Sequence, residues 1–347
     1  MLHIHEFFSL ILKGKFRISE DMEEYLVSIL VPIFGTEKYI ERCAISLFEQ
    51  TYKNIEYIFV DDCSPDRSVV VLRSVIAKYP IRKKLIRIIK HDTNMGLGAA
   101  RNTGIQNAKG FFVMHVDSDD YLDKHCIEKC VKAQTLTDAD ILCVSYSKVK
   151  KKVCEDVVLP SIEDPIIFNK AIITHTLPNN IWGKLIKKSL YTDFDISVQK
   201  GINMSEDLNV LPKLLYYSKK VSCLAEPLYM YECDNSSSYT SSLSINKLSQ
   251  IESTLFSLSD FFKNRNGELL NAVHFRAYVT YVDWLVNSCK NSDKMLYEKI
   301  REKINGFSYK GSTKLNFLFW LIFNIHNYYL CAALVKSSIF IKRLFVK

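Results

Sequence analysis

Eleven glycines and eight prolines in 347 residues are too few for a collagen-like or linker-dominated chain. Ten cysteines are present, yet none forms a C-x-x-C pair. Several stand in apolar runs, as Cys143 does in Ile141-Leu142-Cys143-Val144. Such usage fits free thiols serving as small apolar residues in a reducing compartment. Cys126 and Cys130 lie four apart beside His125, a spacing open to zinc, but no second ligand pair accompanies them. A secretory leader is also lacking: the apolar run from Phe7 to Leu12 is short, has no basic start, and meets Lys13 without a small-residue cleavage site. A cytoplasmic protein is expected. Acidic residues are missing from Lys310 onward, where six Lys or Arg stand (Lys310, Lys314, Lys336, Lys342, Arg343, Lys347). Most of the net charge of +8 therefore belongs to the tail. A nearly neutral body argues against nucleic acid as a partner, and the basic tail calls for a partner of its own. The remaining composition, 48% hydrophobic and 24% charged, excludes wholesale disorder. The length suits one large α/β domain with an appendage, or two domains.

From residue 27 to 146 two periods alternate. Val27 to Ile33 is a nearly continuous apolar run, as expected of a strand covered on both faces. Glu37 to Gln50 carries a broad helical apolar face, and Ile55 to Val60 reads as a second strand. Ser64-Pro65-Asp66 reads as a helix start, Ser as N-cap and Pro in the first turn, with the helix running to about Tyr79. Strands follow at Leu85 to Ile89, Phe111 to Val116 and Ile141 to Ser145, with helices at Ala99 to Ala108 and Asp123 to Gln134. The alternation predicts a mostly parallel sheet covered by helices on both sides. Helices are expected at Pro165 to His175, Ile181 to Tyr191 and Ser205 to Tyr217, and a strand at Val221 to Tyr231. A Ser-rich stretch then precedes helical periodicity at Lys247 to Phe262, His274 to Cys289 and Lys294 to Ile304. The chain thus divides into an N-terminal helical extension (1–26), an α/β domain (27–240, halves 27–125 and 126–240) and a helical C-terminal region (245–347).

Open parallel sheets take ligands beyond the carboxyl ends of their strands. Pro32, Phe34 and Glu37 follow the first strand here, and Asp61 and Asp62 the second. The third leads into the loop His91 to Gly96, with Arg101 in the next helix; the fourth leads into Asp117-Ser118-Asp119-Asp120. An acid after a strand is often a helix cap, but one cap per helix suffices and five Asp stand here. Crowded carboxylates repel one another unless a cation is shared. A divalent cation on Asp119, bridging to an anionic ligand such as a diphosphate, is the physical expectation.

Val27-Ser-Ile-Leu-Val-Pro-Ile-Phe34, Glu37 to Cys43, Gln50 to Glu56, Val60-Asp-Asp62, Gly98-Ala-Ala-Arg-Asn-Thr-Gly104 and Val116-Asp-Ser-Asp-Asp-Tyr-Leu122 stand in order. Together they resemble the family 2 glycosyltransferases of bacterial surface-polysaccharide type, densely over residues 26 to 125. The resemblance implies an α/β fold of the GT-A type, a Rossmann-like sheet flanked by helices. It implies a nucleotide-diphosphate sugar as donor, a UDP-hexose or UDP-N-acetylhexosamine, with Mn²⁺ or Mg²⁺. Pro32, Phe34 and Glu37 would wall the nucleotide, Asp61 and Asp62 would read uracil or ribose, and Gly96 and Ser118 would line the same site. Arg101 would hold the phosphate end, and Asp117 and Asp119 would form the D-x-D, Asp119 as the direct metal ligand. The base of an inverting transfer would be Asp207, or its neighbour Glu206, although acids after Ser205 also suit an ordinary helix start. Trp182 would be a sugar-stacking platform or a core residue. Where the family often has Asn after Phe34 this chain has Gly35, and Cys63 replaces the usual Gly after the Asp pair. Tyr229, Tyr231 and Ser236 to Ser238 resemble a segment of bacterial members to which no role is attached.

Leu315 to Val335 has the length of a membrane span, but Asn316, Asn324, His326 and Asn327 interrupt it and its flanks are basic. An interfacial helix on an anionic membrane, a packed helix or homo-oligomer contact, and a true span are the alternatives. The expected function is transfer of a sugar to a saccharide or lipid-linked acceptor in capsule or lipopolysaccharide synthesis, by a cytoplasmic enzyme peripheral on the inner membrane face. A sugar nucleotidyltransferase would need a Gly-rich, basic phosphate loop near the first strand, which is absent. A non-catalytic nucleotide-sugar-binding scaffold is the remaining alternative.

Overall fold

A computed structural model describes residues 25–151, 153–235, 244–304, 324 and 327–335. The proposed N-terminal extension, Ser236 to Ser238 and most of the basic aromatic tail lie outside the described residues. The described chain forms two compact units, residues 25–168 with 180–235, and residues 169–179 with those from 244 on.

The first unit is built on a sheet of nine strands: β1 (Val27–Ile33), β2 (Ile55–Asp61), β3 (Ile86–Lys90), β4 (Phe112–His115), β5 (Tyr121–Leu122), β6 (Ile141–Lys150), β7 (Val153–Val157), β8 (Lys184–Lys187) and β9 (Val221–Glu232). Their order is β3-β2-β1-β4-β8-β6-β9-β5, with β7 paired to β6. All seven residues of β1 and of β2 are buried, which is why β1 reads as a nearly continuous apolar run; the polar Ser28 and Glu56 are bonded to each other. Parallel pairing holds from β3 to β4, as the alternation of periods implied. Then β8 enters antiparallel to both β4 and β6. That corrects the helix expected over Ile181 to Tyr191: four residues form a central strand, and only Ser189–Thr192 turns helical. The two-residue β5, antiparallel to β9, carries no readable period.

The helices are α1 (Ile40–Phe48), α2 (Ser68–Lys78), α3 (Leu97–Asn107), α4 (Cys126–Thr137), α5 (Pro165–Ile173), α6 (Ser189–Thr192) and α7 (Glu206–Tyr217); α5 begins in this unit and ends in the second. On α1, Ile40, Cys43, Ala44, Leu47 and Phe48 are buried, the spacing of one helical face. Each large side chain among them contributes roughly 1.5–3 kcal/mol by leaving water. Cys126, Cys130 and Cys143 are likewise buried, as apolar usage required. The start of α2 differs from the Ser64 reading. Asp66, not Ser64, caps it, accepting from the backbone N–H and hydroxyl of Ser68, while the Ser64 hydroxyl donates to Asp66 and accepts from the Gly35 N–H.

The second unit holds α8 (Ile245–Phe262), α9 (Gly267–Lys290) and α10 (Lys294–Ile304). Ser244 and Asn266 cap the first two by accepting from the N–H of Lys247 and Leu269. No helix among the described residues is long and apolar enough to cross a membrane.

Candidate active site

At the carboxyl edge of the parallel strands, Pro32 is buried, Phe34 is 50% exposed and Gly35 has φ +68°. Asp61 accepts from the Ser64 N–H at 2.8 Å. Asp62 is more heavily engaged. Its carboxylate accepts from the N–H of Met95 (2.8 Å) and Gly96 (2.7 Å) and lies 2.7 Å from His91 Nδ1. It therefore pins the 91–96 loop to the end of β2. Gly96 has φ +91°, and a Cβ there would lie 2.1 Å from the Asn203 side chain, so only glycine closes this loop. Glu37 accepts from the Arg67 N–H and donates its own N–H to Asp66.

Arg101, on α3, is the centre of the site. Its side chain is 4% exposed and surrounded by three carboxylates: Asp117 at 3.0 Å, Glu206 at 3.4 Å and Asp207 at 3.5 Å. Asp117 follows β4; Glu206 and Asp207 open α7, 105 and 106 positions after Arg101 in the chain. Ser205 sits in the left-handed region (φ +65°) and makes no side-chain cap bond. Local capping thus does not account for the acids at the head of α7. The backbone is instead turned, at a cost of about 1–2 kcal/mol, so that both acids meet Arg101. Burial, and then the neighbouring Asp207 charge, raise the Glu206 carboxyl to about 8 against the pull of Arg101. Burial likewise raises Asp207, which accepts from the Ile181 N–H and is opposed chiefly by Arg101. The phosphate-end role inferred for Arg101 meets a plain obstacle here: a phosphate reaches the guanidinium only by displacing a carboxylate.

Beyond Asp117, the Asn235 amide donates to Asp119 at 2.8 Å. Asp120 is wholly buried, accepting from the Tyr229 hydroxyl (2.5 Å) and the Glu232 N–H (2.8 Å). The Tyr229 oxygen in turn accepts from the Asp117 N–H. Tyr229, which carried no role in the sequence, therefore holds the D-x-D turn in shape. Arg42 adds bonds to the Asp119 carbonyl and to Glu232. Burial and the Asp117 charge raise Asp119; burial and the charges of Asp119 and Asp117 push Asp120 well up. Repulsion of this kind is what a cation relieves, and carboxylate oxygens suit Mg²⁺ or Mn²⁺. No group of three or more His, Cys, Asp or Glu among the described residues could cage a metal unaided. The donor set fits an ion held by one or two carboxylates with phosphate oxygens completing its shell.

Trp182 is 8% exposed and lies in the hydrophobic core, stacked on Tyr229 (4.3 Å between centroids) and Tyr231 (5.2 Å). A sugar platform needs an open ring face, and this ring is buried. Lys184, on β8, is also buried and donates to the Asn180 carbonyl at 2.5 Å; burial lowers its ammonium. It closes the turn that carries Ile181, the partner of Asp207.

The family model described as glycosyl transferase family 2 matches residues 28–189. This chain carries a family 2 glycosyltransferase domain. Among its relatives, EpsJ of Bacillus subtilis, an uncharacterised glycosyltransferase, is 31% identical over 224 residues, 62% of this chain and 63% of EpsJ. TarS of Staphylococcus aureus, a poly(ribitol-phosphate) β-N-acetylglucosaminyltransferase, is 28% identical over 220 residues, 62% of this chain and 37% of TarS. The matched stretch spans less than two thirds of either relative. The crystal structure of TarS residues 1–349 with UDP matches at a TM-score of 0.53 and 21% identity, covering 82% of this chain and 93% of that fragment. PcManGT of Pyrobaculum calidifontis, a mannosyltransferase solved with GDP-Man and Mn²⁺, matches at a TM-score of 0.52 and 13% identity, covering 89% of this chain and 86% of its own. The fold of the glycosyltransferase domain is GT-A. The two departures from the family's usual residues now have a backbone reason. Gly35 (φ +68°) and Cys63 (φ +57°) both occupy left-handed positions; Gly and Asn adopt that region readily, and Cys63 carries strain there.

Proposed function

We propose that this chain is an inverting, metal-dependent glycosyltransferase. It moves a hexose or N-acetylhexosamine from a UDP donor to a saccharide or lipid-linked acceptor in bacterial surface-polysaccharide synthesis, working in the cytoplasm at the membrane's inner face. The observation that carries this reading is the buried guanidinium of Arg101, which joins Asp117 of the D-x-D to the acids at the head of α7. Donor-side and acceptor-side carboxylates thereby belong to one constellation. The UDP named in the TarS structure supports the donor class.

The acceptor hydroxyl oxygen attacks the anomeric carbon as the bond from that carbon to the diphosphate oxygen breaks on the opposite face. Its proton passes to Asp207, and the nucleoside diphosphate leaves. Glu206 is the neighbouring acid of the pair, and Arg101 positions both rather than meeting phosphate. Pro32, Phe34, Glu37 and Asp61 wall the nucleotide, with Gly96 and Ser118 beside it; Asp62 acts through the loop it pins. Asp119 with Asp117 would hold a Mn²⁺ or Mg²⁺ ion, which supplies positive charge to the leaving diphosphate.

Calorimetric titration of UDP, with GDP as control, tests the donor site. UDP alone is expected to bind with Mn²⁺ and to lose that binding in EDTA or in Asp119→Ala. Absence of binding by either nucleotide overturns the reading and favours a scaffold.

A further inference from the structure

A small cavity lies against Arg101 and the head of α7, with Ile105, His115, Tyr191, Val198 and Asp207 among its walls. The space open to the centre of a water-sized sphere is about 10 Å³, on the order of a single water. Three of its wall residues each bring a buried polar atom that makes no hydrogen bond among the described residues: Arg101 Nε and Asp207 Oδ1, which face each other as a loose ion pair at 3.5 Å, and His115 Nδ1. Arg101 and His115 are 4% and 2% exposed. Buried polar groups are seldom left unpaired, because each costs about 1–3 kcal/mol. Three in one cavity point to a ligand, and the size admits only a very small one.

The hydrogen positions select that ligand. Tyr191, 5% exposed, has its hydroxyl 3.2 Å from His115 Nε2. Either group can donate in this contact; with the phenol O–H donating to Nε2, the hydroxyl hydrogen is used within the protein. The neutral imidazole then carries its hydrogen on Nδ1. The cavity therefore receives two N–H donors, from Arg101 and His115, and one acceptor, Asp207 Oδ1. A water molecule offers two lone pairs and two hydrogens.

We propose that one ordered water occupies this cavity, accepting from Arg101 Nε and His115 Nδ1 and donating to Asp207 Oδ1, so that His115 is a positioning residue for Asp207. The water site stands on geometry alone; its bearing on transfer rests on the reading of Asp207 as the base. With the Ile181 N–H as the other bond, the water fixes the carboxylate's orientation from a second side. His115 touches neither donor nor acceptor; its effect runs through Tyr191, the water and Asp207.

Long-range ¹H–¹⁵N NMR of the full chain labelled at histidine reads the tautomer without any assay of activity. The Nδ1–H form is expected for His115, and the Nε2–H form or an imidazolium overturns the assignment. A crystal structure that resolves waters should show one within hydrogen-bond distance of all three atoms, and an empty cavity overturns the site. In kinetics, His115→Leu should lower kcat about tenfold at unchanged donor KM, as one lost hydrogen bond implies. His115→Asn, which keeps an N–H near the Nδ1 position, should recover most of it. A His115→Leu enzyme with the wild-type kcat overturns the positioning role. If Asp207→Asn keeps its activity while the tautomer and the water are as expected, the base assignment fails and the water site stands.

Discussion

The acids that follow β2 and those around Arg101 and the D-x-D turn are satisfied in opposite ways. Asp61 bonds the Ser64 N–H, Asp66 bonds Ser64, Ser68 and the Glu37 N–H, and Asp62 bonds the N–H groups of Met95 and Gly96 and the His91 ring. Turns, loops and helix starts supply partners of this uncharged kind. Asp117, Glu206 and Asp207 instead meet a guanidinium, and Asp120 meets Tyr229 from 109 positions away. Carboxylates tied to neutral N–H and hydroxyl groups hold loops. Glu206 and Asp207 keep a raised proton affinity through burial, against the pull of Arg101, and can do proton chemistry. The difference marks out where the reaction belongs, and mutations can break it or sharpen it.

The largest effect is expected at Asp207. Asp207→Asn should lower transfer by about 10²–10⁴, the usual contribution of a positioned base, while UDP affinity by calorimetry stays at the wild-type value. Transfer near the wild-type rate would remove Asp207 from the role. Next comes Arg101→Met. It strands three carboxylates around an apolar side chain and should cost about 3–5 kcal/mol, as breaking a buried ion pair does, read as a lowered denaturant midpoint. The same scan on Asp66→Asn should move the midpoint far less, because that half-buried carboxylate meets uncharged N–H and hydroxyl groups and its removal leaves no buried charge unpaired.

A pH series sharpens the contrast further. Glu206 is raised from 4.5 to about 8, so the folded state holds a proton that the unfolded chain releases. Its contribution to stability is full below pH 4.5 and is lost as pH rises to about 8. Unfolding free energy should therefore fall across that window, and Glu206→Gln should flatten the slope. An unchanged slope in the variant means that Glu206 is ionised in the fold. The smallest effect is at Cys63. Replacing it by glycine should raise stability by up to about 1–2 kcal/mol, since glycine accepts φ +57° without strain. A loss of stability would show that the thiol contributes more than the backbone costs.

The sheet was readable because β1, β2 and β4 are buried on both faces and therefore mostly apolar. The strand-end acids followed from that reading, since parallel strands end at one edge. What failed was short or bent. Gly183 (φ +65°) sets a turn just ahead of β8, and four residues of strand followed by four of helix hold neither period long enough to detect. Trp182 illustrates a further limit: whether its ring was a sugar platform or part of the core depended on Tyr229 and Tyr231, nearly fifty positions away.

By itself the order of residues determined a mostly parallel sheet covered by helices and the edge at which its strand-end acids gather, because periodicity is a local property of a chain; the motifs, through their resemblance to family 2 glycosyltransferases, implied the GT-A fold. Only the tertiary structure decided that Arg101 is enclosed by carboxylates, that Asp62 is a pin for a loop, and that the acids at the head of α7 serve Arg101 rather than their own helix. Each of those outcomes depends on which distant side chains reach a charge once water has been excluded, and exclusion of water is a property of the folded molecule.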